Sequence, residues 1–225
     1  MIYTDDWAFM HIPKSCGQMF VESVPKEKIR GKFYCPENTK VSKESMGMWK
    51  HQPIPYQIKH NPDLANIQWI TIVRHPADRL VGFYFIFKKR LKEDRGVDWD
   101  TSFKTWIMND GPWKKPDEQF ILEGGLWETH YPQHYWVINS SWTTMLKDSG
   151  LSLGMKPKWT SNVLTFRMED QLKDLEDYVG FRLQRRGCTM LPTINDSWKT
   201  YYTDEMREIV YERYRQDFES FGYNV

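Results

Sequence analysis

The stretch WAFMHIPKSCGQ, residues 7–18, decides how this sequence is read. Trp7-Ala8-Phe9-Met10 is an apolar run suited to a short strand over about 7–12, and the chain then turns through Pro13-Lys14-Ser15-Cys16-Gly17 into a helix over about 17–24. A strand-to-helix turn of this kind aims backbone N–H groups and a helix N-terminus at one point, which suits an anion. Lys14 adds a full positive charge there, and Ser15 adds a hydroxyl donor. A turn with a Lys and a Ser also occurs in purely structural roles.

Further along, WITIVRHPADRLVGFYF (69–85) repeats the logic. Ile70, Ile72 and Val73, flanked by Trp69 and Thr71, make a β-branched run suited to a buried parallel strand over 69–74. Pro76 fits the first turn of the helix that follows, expected over about 77–92. In open α/β sheets ligands bind beyond the carboxyl ends of the strands. Lys14 and Arg74 are therefore expected at neighbouring strand ends, facing one crevice. For Arg74 a salt bridge at the helix start is the equal alternative.

Together these segments resemble the sulfotransferases that use 3′-phosphoadenosine 5′-phosphosulfate (PAPS), most closely the membrane-type carbohydrate sulfotransferases. THYPQHYWVI (129–138) resembles the family's His-x-x-Pro-Gln segment, and LTFRMEDQLKDLEDYVGF (164–181) its next strand and helix. YYTDEMREIVYERYRQDFESFGY (201–223) is similar to its last helix, so the resemblance runs in order from about residue 7 to 223. It implies an α/β, P-loop NTPase-like three-layer fold with a central parallel sheet flanked by helices. It also implies a loop of Lys14, Ser15, Cys16, Gly17, Gln18 and Met19 around the 5′-phosphosulfate, with Arg74 on the 3′-phosphate. The family's second 3′-phosphate residue is a serine; Gly82 stands at that position. Where the family has Thr or Gly-Gly in the loop, this chain has Cys16-Gly17. Asn195, Ser197 and Lys199 lie where a late segment closes over the nucleotide, and an ordinary polar turn before a helix explains them equally well.

The chemistry that this implies is sulfuryl transfer to an acceptor hydroxyl, with 3′-phosphoadenosine 5′-phosphate (PAP) leaving and no metal. Lys14 is the expected cation beside the leaving phosphate oxygen. A base must take the hydroxyl proton. His51 lies 23 residues before Arg74, nearly the distance at which uronyl-type relatives carry a catalytic His, and is the first choice. Glu22 is the rival; His130 and His134 could bind substrate or simply pack, and His75 and His60 fit turns. A P-loop kinase is the competing enzyme class, but G-x-x-x-x-G-K-[ST] is absent and Arg74 stands where a magnesium-holding Asp would be expected. A non-catalytic PAPS-binding module is the alternative outside enzymes, hinted at by Gly82.

Composition sets the bounds. A chain of 225 residues with 40% hydrophobic content can bury one good core, so one domain over 1–225 is expected. A net charge of +1 gives no global field for nucleic acid or acidic membranes. Eleven Trp and 16% aromatics point mostly to packing, with a few indoles suited to stacking on sugar faces; the favoured acceptor is a carbohydrate. The three cysteines, Cys16, Cys35 and Cys188, are odd in number and lack zinc-ligand spacing; they fit reduced thiols better than a disulfide framework, with a Cys35–Cys188 bridge as the alternative. No basic and apolar leader and no apolar run of membrane-spanning length is visible, whereas eukaryotic relatives are usually Golgi-anchored. A soluble, cytoplasmic protein is the expectation, of microbial or viral origin or trimmed.

The remaining elements follow from pattern. Residues 25–68 read as irregular with a short strand near Lys32–Cys35, and 96–128 as an insertion with a short helix near Ser102–Asn109. KKRLKEDRG (88–96) reads as the solvated end of a helix. A helix over about 131–147, a strand near 162–167 and a helix at about 169–178 complete the middle. The last helix should start at an N-cap, Thr203, and bury Met206, Val210, Tyr214 and Phe218.

Overall fold

The computed structural model describes residues 2–32, 51, 54, 57–58, 61–109, 132–137, 163–184 and 197–224. In chain order the elements are β1 (Ile2–Tyr3), β2 (Trp7–Met10), α1 (Gly17–Ser23), β3 (Gly31–Lys32), β4 (Gln68–Val73), α2 (Pro76–Arg95), α3 (Phe103–Met108), α4 (His134–Val137), β5 (Val163–Arg167), α5 (Leu172–Val179) and α6 (Asp204–Phe221). Short 3₁₀ turns span Lys26–Lys28, Pro62–Ala65 and Ser197–Tyr201. The chain forms two compact units, Met1–Val73 with Gln133–Arg185, and Arg74–Pro132 with Arg186–Val225.

The first unit carries the sheet, in the order β3-β1-β2-β4-β5. β2, β4 and β5 are parallel, with Met10 opposite Thr71 and Val73 opposite Arg167. The expected parallel sheet is thus present, extended by the antiparallel strands β1, which lies outside the expectation, and β3, which meets the short strand expected near Lys32–Cys35 at Lys32. Every residue of β2 is buried, as a strand paired on both sides should be. Phe9 stacks on Phe20 of α1 at 4.1 Å, which seats the helix that follows the Lys14 turn.

The second unit is helical. Leu80, Phe83 and Tyr84 of α2, Phe103, Trp106 and Ile107 of α3, and the Met206-Val210-Tyr214-Phe218 face of α6 form its core. Ser102 and Thr203 cap α3 and α6 through their side chains, accepting from the N–H groups of Thr105 and Met206. Phe85 and Phe87 of α2 are partly buried against the same core, and the lysines that follow lie in the solvated last turns of α2. Tyr202 is buried and donates to the carbonyl of Ala77 (2.9 Å). Burial holds its hydroxyl well above the usual tyrosine range, so it stays a donor.

Candidate functional site

In the first unit the geometry centres on the turn between β2 and α1. Lys14 (φ 66°) and Cys16 (φ 57°) are both left-handed, a region that costs a non-glycine residue roughly 1–2 kcal/mol. A left-handed Cys16 followed by helical Gly17 turns consecutive N–H groups to one side, the concavity that suits an anion. Lys14 is half-buried at the head of this loop. The Ser15 hydroxyl, 1% exposed, donates to Oε1 of the fully buried Gln133 at 3.0 Å, and the Ser15 N–H turns back to the Ile12 carbonyl. Ser15 thus spends both of its donors inside the fold, where the sequence suggested a hydroxyl aimed at the ligand.

The other loop residues divide by side chain. Met19 is buried in the core, which leaves its backbone to face the turn. Gln18 is exposed and bonds to Glu22 one turn on (2.6 Å), so Glu22 sits on the outer surface of α1. Gly17 packs face to face with His11: a Cβ at this position would overlap the imidazole ring. Cys16 is disulfide-bonded, which corrects the reading of all three cysteines as reduced thiols; Cys35 and Cys188 lie outside the described residues. An odd count and a lack of metal spacing carry no information on which thiols meet in space. The Cys16 Sγ also lies 3.0 Å from Sδ of Met168.

His51 is fixed beside this loop through His11. Its Nδ1 lies 2.9 Å from the His11 carbonyl, and its own carbonyl accepts from the Trp136 indole at 2.9 Å. A carbonyl only accepts, so Nδ1 carries the proton and the neutral ring has its lone pair on Nε2. That is the tautomer of a proton acceptor. The two imidazoles meet edge to face, with centroids 4.5 Å apart. His134 is buried in α4, and His130 and His60 lie outside the described residues.

In the second unit Arg74 and Asp78 form a buried ion pair across the first turn of α2, Nε to Oδ2 at 2.6 Å, each 3% exposed. This is the helix-start salt bridge that the sequence allowed. Arg79 is buried next to it: burial lowers its pKa, and Tyr214 and Asp217 oppose that shift. Gly82 is buried within α2. Lys199 is exposed, its ammonium 5.7 Å from the centre of the Trp198 ring. With His75, Arg207 and Phe218 these residues line an open cavity of about 150 Å³. The His75 ring lies against Trp198 (4.3 Å) and Phe218 (5.3 Å), and its Nε2 meets the Asn224 carbonyl. Ser197 opens the 3₁₀ turn, and Asn195 lies outside the described residues.

Two residues at the loop escaped the sequence reading, His11 as a packing partner and Gln133 as an acceptor. His11 lies within the quoted stretch 7–18, and Gln133 within THYPQHYWVI, so a signal existed for both. Among the described residues no three His, Cys, Asp or Glu side chains group as a metal site, and no helix is long and apolar enough to cross a membrane. Comparisons with protein-family models, curated proteins and solved structures find no match to this chain.

Proposed function

We propose that the chain is a group-transfer enzyme that holds a phosphorylated nucleotide donor on the loop of residues 14–17. More narrowly, the reading is a PAPS-dependent sulfotransferase on a P-loop NTPase-like three-layer fold, acting on an acceptor hydroxyl, with carbohydrate favoured. The observation that carries it is the lysine-bearing turn after a central parallel strand, with two non-glycine residues held left-handed. Such strain persists only where the surroundings over-determine it, and it concentrates at ligand-binding loops. The ordered resemblance along the sequence narrows donor chemistry to phosphosulfate.

PAPS supplies the sulfuryl group and leaves as PAP. The acceptor oxygen forms a bond to sulfur as the bond from sulfur to the bridging phosphate oxygen breaks, and that oxygen keeps the electron pair. Lys14 neutralises the charge that grows there, which favours the transition state over the ground state. Nε2 of His51 takes the acceptor proton. The resemblance implies Arg74 for the 3′-phosphate, and Asn195, Ser197 and Lys199 for the 3′-phosphate or the adenine edge.

Labelled-sulfate transfer from PAPS to a panel of glycans, small metabolites and tyrosine peptides tests the activity. Thermal shifts test the donor: PAP should raise Tm by mass action on the native state and ATP much less. Turnover should survive EDTA. Equal shifts from both nucleotides, or transfer that needs magnesium, would favour a kinase-like chemistry. A non-catalytic PAP-binding module is the second reading, favoured by Gly82 in place of the serine. PAP binding with no transfer to any acceptor would establish it.

A further inference from the structure

We infer that Ser15 and Gln133 form a positioning tether for the donor loop, with Ser15 acting through the loop's backbone and not on the ligand. The inference rests on the sulfotransferase reading and deepens it. Ser15 sits between Lys14 and Cys16, the two left-handed residues, so it is the point at which the strained turn is held. Its hydroxyl donates to Gln133 Oε1 at 3.0 Å, with Ser15 1% exposed and Gln133 fully buried. A hydroxyl has one proton to donate, and here it is committed. The bond also spans 118 positions of sequence, joining the β2–α1 turn to the segment that begins α4. A buried bond of this kind is costly to break, because either partner left alone keeps a desolvated polar group. It fixes the loop in a conformation that the free chain avoids, and the ligand then meets N–H groups already arranged.

A double-mutant cycle on PAP affinity tests this, with Ser15→Ala, Gln133→Leu and the double variant. Each single change should weaken PAP binding by roughly tenfold, the worth of one hydrogen bond, and the double variant should be no weaker than either. Ser15→Thr, which keeps the hydroxyl, should bind PAP like the wild type. Amide hydrogen exchange over residues 11–20 of the ligand-free protein should quicken equally in both single variants. Gln133→Asn, too short to reach, replaces Gln133→Leu if the latter does not fold. If Ser15→Ala weakens PAP and Gln133→Leu does not, the hydroxyl contacts the ligand and the tether is overturned. Losses that multiply in the double variant overturn it as well. A wild type that does not bind PAP overturns the sulfotransferase reading, whereas unchanged exchange in both variants overturns the tether alone.

Discussion

Gly17→Ala sets two opposed effects against each other at the loop. Gly17 opens α1 without a left-handed backbone, so alanine meets no conformational penalty and gains up to about 1 kcal/mol of helix propensity. Against this, a Cβ would overlap Cδ2 and Nε2 of His11 and stand 2.7 Å from its Cγ. Carbon contacts prefer roughly 3.5–4 Å, so the ring must retreat by about 1 Å or more. It has little room: His11 is 8% exposed, with Phe9 at 6.2 Å and His51 at 4.5 Å between ring centres. With two ring atoms overlapped, the overpacking cost falls in the upper part of its usual range, about 2–3 kcal/mol, which leaves a net loss of about 1–2 kcal/mol after the propensity gain. For a chain of this size that is a fall in Tm of about 2–8 °C. Calorimetry on the single variants and on Gly17→Ala/His11→Ala measures it. In the double variant the methyl group occupies space vacated by the ring, so its Tm should equal or exceed that of His11→Ala alone. A Gly17→Ala protein as stable as wild type, or additive losses in the double variant, would refute the packing argument.

Four further outcomes follow from the same geometry. Lys14→Asn should abolish transfer without lowering Tm, because asparagine tolerates the left-handed region that Lys14 occupies at a cost; a fall in kcat much larger than any change in PAP affinity is the kinetic sign. His51→Ala should reduce kcat by roughly 10²–10⁴ and leave PAP affinity nearly unchanged, and the wild-type rise of rate with pH, as the imidazole loses its proton, should vanish in the variant. Arg74→Ala should lose PAP affinity and also destabilise the fold by about 3–5 kcal/mol, because it strips the buried Asp78 of its guanidinium; chemical denaturation should find Arg74→Met/Asp78→Leu more stable than Arg74→Ala. Thiol titration in denaturant should count fewer free cysteines before reduction than after it, because Cys16 is disulfide-bonded.

Local signals in the chain were enough for the elements and for the loop's place. The apolar run Trp7–Met10, the β-branched run ending at Val73 and the stripe from Met206 to Phe218 each state a period and a boundary, and strands and helices stand there. Thr203 as a cap and Gly17 at a helix start are equally local facts, since the groups concerned lie within a turn of one another. The antiparallel strand β1 escaped because a two-residue strand has no period to read, whereas β3 meets the strand expected near Lys32–Cys35 at Lys32.

Which residue meets which across distance was decided by the tertiary structure alone. Ser15 reads as a ligand donor until Gln133 is seen to accept its proton from 118 positions away. Cys16 reads as a free thiol until its disulfide is seen, and His51 is one histidine among six until the His11 carbonyl fixes its tautomer. The physical reason is common to all three. Periodicity, propensity and capping act over a few residues, whereas the state of a hydroxyl, thiol or imidazole depends on partners that only chain folding brings into contact.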